Sequence, residues 1–178
     1  ALDSIQAGGT CNVAIGDHAG TAITTGDNNT VAGSSALETN STGSTNTAIG
    51  LCALHANTTA SNNTAVGSVT LLLNTTGSEN VAIGGSALQS NTTGANNTSV
   101  GRNSLKCNTT ASNNTAVGQN ALVANTTGNL NIAVGNESLA TNTVGDRNVA
   151  MGYQALTTFN PDSNVDAYNT AMGHASLK

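Results

Sequence analysis

A glycine returns every 17 residues along this chain, at Gly16, Gly33, Gly50, Gly67, Gly84, Gly101, Gly118, Gly135 and Gly152, and again at Gly173 after 21. Four residues ahead of each stands an asparagine, in a column that includes Asn46, Asn63, Asn80, Asn97 and Asn114. Chance does not hold two residue types in register over so many periods, so the chain is an array of one small unit. The unit reads N-x-A-(V/I)-G-x-x-(A/S)-L-x-x-N-T-T-G-x-x. Leucine recurs at Leu37, Leu54, Leu71, Leu88, Leu105, Leu122, Leu139 and Leu156. A second asparagine column runs from Asn40 to Asn142, and a second glycine column is softened to Ala60 and Ala111. Val31-Ala32 reverses the usual order of alanine and β-branched residue.

A 17-residue unit is too short for a helix pair, which needs about 33 residues. N-T-A-V-G alternates side-chain character over a short β-capable stretch and then stops at glycine. Asparagine and glycine accept the left-handed conformations that sharp corners require. The pattern predicts an all-β fold with one or two short strands per repeat, coiled into a repetitive β-solenoid (a β-roll or β-helix) with 17-residue rungs. A short helical turn at the Ala-Leu pair is the local alternative.

In such a coil equivalent residues lie above one another at about 4.8 Å. Identical asparagines can then bond amide to amide along the axis. Val66, Ile83, Val100 and Val117, with Leu71, Leu88, Leu105 and Leu122, are expected to form a continuous apolar spine. The expected organisation is a partial leading repeat over 1–11, regular repeats over 12–158, an irregular insert over 159–168 and a truncated last repeat over 169–178. The insert adds four residues and carries Phe159, Pro161, Asp162, Asp166 and Tyr168, so it is expected to bulge from the surface as a contact site. The sequence starts at Ala1 and stops at Lys178 inside a repeat, as a piece of something longer would.

Aromatic residues make up 2% of the chain, too few to fill a compact globular core. Two large apolar side chains per rung are little to offset the ordering of 17 residues. Extra burial is therefore expected from other copies, in a parallel homotrimer. Disorder is disfavoured by a single proline, Pro161, and by the strict apolar schedule. Four basic against nine acidic residues give a net charge of −5, with no basic patch for nucleic acid. The longest apolar run, Val69 to Leu73, is far too short to span a membrane.

The stretches from Asn80 to Leu88 and from Asn114 to Gly128 resemble the head repeats of YadA-like trimeric autotransporter adhesins. They are more similar still to N-T-A-I-G…A-L…N-T-T-G arrays in tail-fibre-like proteins of phages and bacteria. The resemblance runs from Asn12 to Leu177; the adhesin head repeat is nearer 14 residues than 17. It implies a trimeric, left-handed β-roll or β-helix displayed as a fibre outside the cell or virion, meeting a cell-surface receptor or glycan.

Catalytic and metal chemistry find little footing. Cys11, Cys52 and Cys107 are odd in number and occupy distant rungs, which points to free thiols. His18, His55 and His174 lack metal-ligand spacing; Asp17 and Asp27 near His18 form the nearest mixed cluster. No Gly-Lys-Ser/Thr follows any glycine, and nothing places a base beside a serine. The expectation is a non-enzyme without metal ligands or cofactor, although an ion held by Asn or Thr on an oligomer axis is compatible with the composition. N-x-S/T sequons recur at Asn40, Asn57, Asn74, Asn91, Asn108 and Asn125, and their periodicity favours a ladder of turn residues over glycan sites.

The expected role is therefore a rigid structural or adhesive fibre segment. A self-assembling filament or sheath is the alternative, and an ice- or surface-binding solenoid the third reading. For that third reading, the paired threonines of N-T-T point to opposite sides of a strand, whereas a two-rank face needs Thr-x-Thr.

Overall fold

A computed structural model describes residues 9–163 and 166–178. Most of the expected leading repeat, and residues 164–165 of the insert, lie outside the described residues. The chain forms an all-β, parallel β-solenoid with 17-residue turns. Each turn contributes one three-residue strand, from β1 (Val13–Ile15) to β10 (Thr170–Met172). The strands stack in chain order into one ten-stranded parallel sheet. Thr47 pairs with Thr64 and Ala48 with Ala65, each residue meeting its equivalent in the next turn. Val149 of β9 (Val149–Met151) still pairs with Thr170, so the four extra residues loop out without shifting the register.

These strands form because a small residue sits between two mostly β-branched ones, a pattern that suits a pleat with one tight inner face. The glycine after each strand turns the chain at φ between +115° and +144°. A side chain there is excluded twice over: a Cβ on Gly118 would lie 2.5 Å from the carbonyl oxygen of Gly135 in the next turn.

Three further positions per turn are left-handed, and one is leucine, with φ of 50° at Leu88 and 48° at Leu105. The Ala-Leu pair is therefore a left-handed corner and not a helical turn. Left-handed leucine costs about 1–2 kcal/mol. Full burial of the side chain returns about 1.5–3 kcal/mol. The Leu88 N–H is also satisfied, by Ser104 O of the next turn at 3.1 Å. The N-T-T-G segment forms no strand, so each turn holds one strand and a chain of corners.

The interior is narrow and filled by five columns: two of alanine, one of leucine and two of asparagine. Leu71, Leu88, Leu105 and Leu122 are fully buried, as a spine requires. The other half of the expected spine is corrected. Ile83 and Val117 remain 40% and 36% exposed, and Val66 and Val100 are half-buried on the outer side of the sheet. Side chains alternate across a strand, so an inward alanine forces both its neighbours outward.

Departures from the repeat compensate one another. Val31 is fully buried at an alanine position while Ala32 takes the outer place, which reverses the order of sizes without turning the strand over. Gly20 stands where other turns have leucine, and Ile23, at the asparagine position of that turn, fills the space.

Candidate functional site

Two ladders of buried amides hold the turns together. Asn97 brings its backbone N–H to Asn80 Oδ1 at 3.0 Å and its Nδ2 to the same oxygen at 3.1 Å. Its Nδ2 also donates to Ala111 O of its own turn at 2.9 Å. The pattern repeats through Asn46, Asn63, Asn80 and Asn114. In the second ladder Asn91 Nδ2 donates to Asn74 Oδ1 at 2.8 Å and to Gly94 O at 2.9 Å. Gly94 O accepts from Asn80 Nδ2 as well, at 2.9 Å. Both ladders thus converge on one carbonyl per turn. Ala60 and Ala111 serve as well as glycine there, because what the position supplies is a backbone oxygen.

Two outer ladders add to these and were not among the expectations from the motif. Thr75 Oγ1 donates to Thr92 O, and Thr92 Oγ1 to Thr109 O, each at 3.0 Å. Ser61 Oγ accepts from Ser44 N at 3.0 Å, and Ser78 Oγ from Ser61 N at 3.2 Å. The first threonine of each N-T-T is therefore tied into the frame; the second, such as Thr59 or Thr76, points to solvent. The signal for the serine ladder is present in the sequence, in the recurrence of Ser44, Ser61, Ser78 and Ser112 at the same phase.

The sheet presents an outer face with two ranks per strand. Thr47, Thr64, Thr98 and Thr115 form one rank with Val81 and Ile132; Ile49, Val66, Ile83, Val100 and Val117 form the other. Placing the small residue inside produces a Thr-x-Val or Thr-x-Ile face, which the sequence reading sought only in N-T-T.

The insert divides into two parts. Phe159 does not project: it occupies the asparagine phase of its turn and packs on the hydrophobic core. Asn142, deprived of the next asparagine, takes the N–H of Gly145 on its Oδ1 at 3.1 Å. Pro161 is half-buried beside Gly145, whereas Asp162 is exposed. The far limb is pinned to the preceding turn. Arg147 forms an ion pair with Asp166, and its guanidinium lies 5.8 Å from the Tyr168 ring centroid. The Tyr168 hydroxyl donates to Asp166 Oδ2 at 3.1 Å, and Tyr168 remains 67% exposed.

Asp17 and Asp27, the acids nearest His18 in the sequence, do not gather into a site with it. His18 Nε2 lies 3.7 Å from Asp17 Oδ1, both exposed. Asp27 instead accepts the backbone N–H of Thr10 at 2.6 Å and its hydroxyl at 2.9 Å. These bonds, the backbone one first, hold the Asp27 carboxyl below the usual carboxylate range. His55 sits 3.5 Å from Glu38 Oε2, and His174 stacks on Tyr153 at 5.0 Å between ring centroids. Cys11, Cys52 and Cys107 are free thiols. Among the described residues the surface holds no pocket, and no three His, Cys, Asp or Glu side chains gather where a metal ion would bind. Nor is any helix among them long and apolar enough to cross a membrane.

No protein-family model matches this chain, and no curated protein or solved structure is significantly similar to it. The adhesin-like and tail-fibre-like resemblance rests on the motifs themselves.

Proposed function

We propose that this chain is a rigid, non-catalytic segment of a fibre displayed outside a cell or on a virion, built by association of identical copies. The observation that carries this reading is a stack of turns in one register, zipped by amide ladders, whose outer side chains recur turn after turn. Such a body has no preferred place for a small substrate. It does offer many equivalent weak contacts to a receptor or glycan array, where avidity does the binding. The homotrimer expected from the sequence is one stoichiometry for the fibre. Immunogold labelling of native cells or particles with an antibody to this chain should decorate projecting fibres. Label confined to the interior would overturn the reading.

Within the fibre, the exposed part of the insert is the irregular surface most suited to a specific contact. Asp162→Ala/Tyr168→Ala should weaken target adhesion; unchanged adhesion would remove the insert from the role. A filament with a purely mechanical task is the rival in the same class, and electron microscopy showing end-to-end stacking of this chain would favour it.

A second reading draws on the outer face of the sheet. A rank mostly of threonine beside a rank mostly of Val and Ile forms an uncharged two-dimensional lattice, with about 4.8 Å between turns. Such a lattice suits ice or another crystalline surface. The absence of thermal hysteresis just below the melting point would dismiss it.

A further inference from the structure

We infer that the chain carries asparagine-linked glycans on one column of corners, at Asn28, Asn62, Asn96 and Asn113, each two residues ahead of a threonine. The inference rests on the reading that the chain is displayed outside a cell or on a virion, because it needs the route on which such glycans are added.

Accessibility separates these four sequons from the others. Asn62 is exposed at a left-handed corner, Asn63 turns inward to the amide ladder, and Thr64 comes outward again. The acceptor amide and the hydroxyl that marks a sequon thus both lie outside the stack. Asn28, Asn96 and Asn113 repeat the arrangement with Thr30, Thr98 and Thr115. In ladder sequons such as Asn57-Thr58-Thr59 the asparagine is fully buried, and in Asn136-Glu137-Ser138 the serine hydroxyl is.

The fold does not demand the pairing of asparagine with threonine. Thr45, Glu79, Leu130 and Arg147 take the same corner at φ of 58° to 61°. Val81, Ile132 and Val149 fill the threonine position of their strands, where a β-branched side chain serves with or without a hydroxyl. Thr47 and Thr170 follow corners that lack asparagine, but no corner asparagine lacks its threonine. Glu79, Leu130 and Arg147 are instead followed by valine or isoleucine. The hydroxyl accompanies every corner amide, as a sequon requires and a strand does not.

In the transfer, Asn62 Nδ2 attacks C1 of a sugar carried on a lipid diphosphate. The bond from C1 to Nδ2 forms as the bond from C1 to oxygen breaks. The lipid diphosphate leaves with that electron pair, and the amide proton passes to the transferase. The product side chain stays outside the stack, so both ladders close beneath it. Asn28, Asn62 and Asn96 are two turns apart, which sets glycans about 9.6 Å from one another along one edge. They hydrate a rod in which only 7% of residues are charged.

Peptide mass spectrometry on the chain taken from its own cells or particles tests this. Digestion with peptide-N-glycosidase in heavy-oxygen water converts each glycosylated asparagine to labelled aspartate. Label should appear at the corner asparagines, and a chain without label at any of the four would overturn the inference. Thr64→Val/Thr98→Val, secreted from a glycosylating host, installs a residue that other turns already use. It should strip the glycan from Asn62 and Asn96 while circular dichroism and the thermal midpoint stay as in the unglycosylated parent. Glycan persisting at either asparagine, or a parent that the host leaves bare at all four corners, would also overturn it. Immunogold labelling of fibres is independent of these outcomes, so an unglycosylated chain leaves the fibre reading standing.

Discussion

Ser99 Oγ lies 2.5 Å from Ser104 Oγ inside a turn whose neighbours carry alanine at both places. Ser99 also donates to Ser104 O, and Ser104 Oγ lies within bonding distance of Gly101 O, each at 2.9 Å. Two polar substitutions in one turn have thus satisfied each other. Ser138 occupies the phase of Ser104, but it faces Ala133, and its buried hydroxyl has no partner.

The contrast gives opposite signs for the same substitution. Ser138→Ala should raise stability by about 1 kcal/mol, because an unsatisfied buried hydroxyl is removed. Ser104→Ala should lower it by a similar amount, because the hydroxyl of Ser99 loses a partner. Urea midpoints of the two variants check both signs; a loss of stability in Ser138→Ala would show that this hydroxyl is satisfied.

The amide ladder predicts a pH-dependent cost for Asn91→Asp. The Nδ2 it replaces faces Asn74 Oδ1 and Gly94 O, both acceptors. A carboxylate there is buried against oxygens, so its folded pKa rises above the unfolded value of about 3.9. The deficit relative to the parent is therefore smallest below that value and grows as pH rises toward the folded pKa. At pH 7 it should reach about 3 kcal/mol or more. Parallel melts at pH 3.5 and pH 7 measure this; an equal deficit at both would contradict the burial.

The frame of this fold was legible because repetition makes buried positions visible without any alignment. The period placed Asn46 to Asn114 in a ladder and Leu71 to Leu122 inside. The same columns misled for Val66, Ile83, Val100 and Val117, since a period says which residues are equivalent and not which way they face. The alternation that turns them outward is set by the alanine between them. The left-handed leucines were hidden for a different reason: leucine carries no local preference for that conformation, and only its burial and its turn-to-turn hydrogen bond hold it there. Phe159 looked like a surface aromatic because its phase in the asparagine column shows only when the array is continued through the insert.

Glycine should be irreplaceable at one column and dispensable one residue later. Gly118 has φ of 134° and no room for a Cβ beneath Gly135, so Gly118→Ala should cost about 2 kcal/mol or more. A Cβ on Gly85 would meet nothing within 4 Å, so Gly85→Ala should be neutral or stabilise by about 0.4–1 kcal/mol. Thermal midpoints of the pair settle it; equal effects would remove the turn-to-turn clash as the cause.

Asp27 should titrate below an ordinary aspartate. Thr10 bonds its ionised form through both the backbone N–H and the hydroxyl. A depressed folded pKa means that its contribution is present above the unfolded pKa and is lost as pH falls through the folded one. The carboxylate lies at the surface of a half-buried residue, so the effect belongs to the local contact. A carboxyl chemical-shift titration should show the midpoint of Asp27 rising part-way back in Thr10→Val, where the backbone bond remains. An unchanged midpoint would assign the shift to the backbone N–H alone.

The periodic sequons should be closed to glycans in the folded chain. Asn57 begins Asn-Thr-Thr, yet it is fully buried, with Nδ2 donating to Asn40 Oδ1 at 2.8 Å and Ala60 O at 3.0 Å. A sugar on Nδ2 removes one of those hydrogens and needs space that the neighbouring turns occupy, so a chain modified there cannot close the ladder. Asn62, in Asn62-Asn63-Thr64, is exposed and left-handed at φ of 61°, and it escapes this conflict. If the chain is secreted through a glycosylating compartment and then treated with protease, the resistant fraction should carry glycan at Asn62 but none at Asn57, Asn74 or Asn91. Modified Asn57 should appear only among the digested peptides. Peptide mass spectrometry distinguishes the two, and a glycan at Asn57 in the resistant rod would contradict the buried ladder.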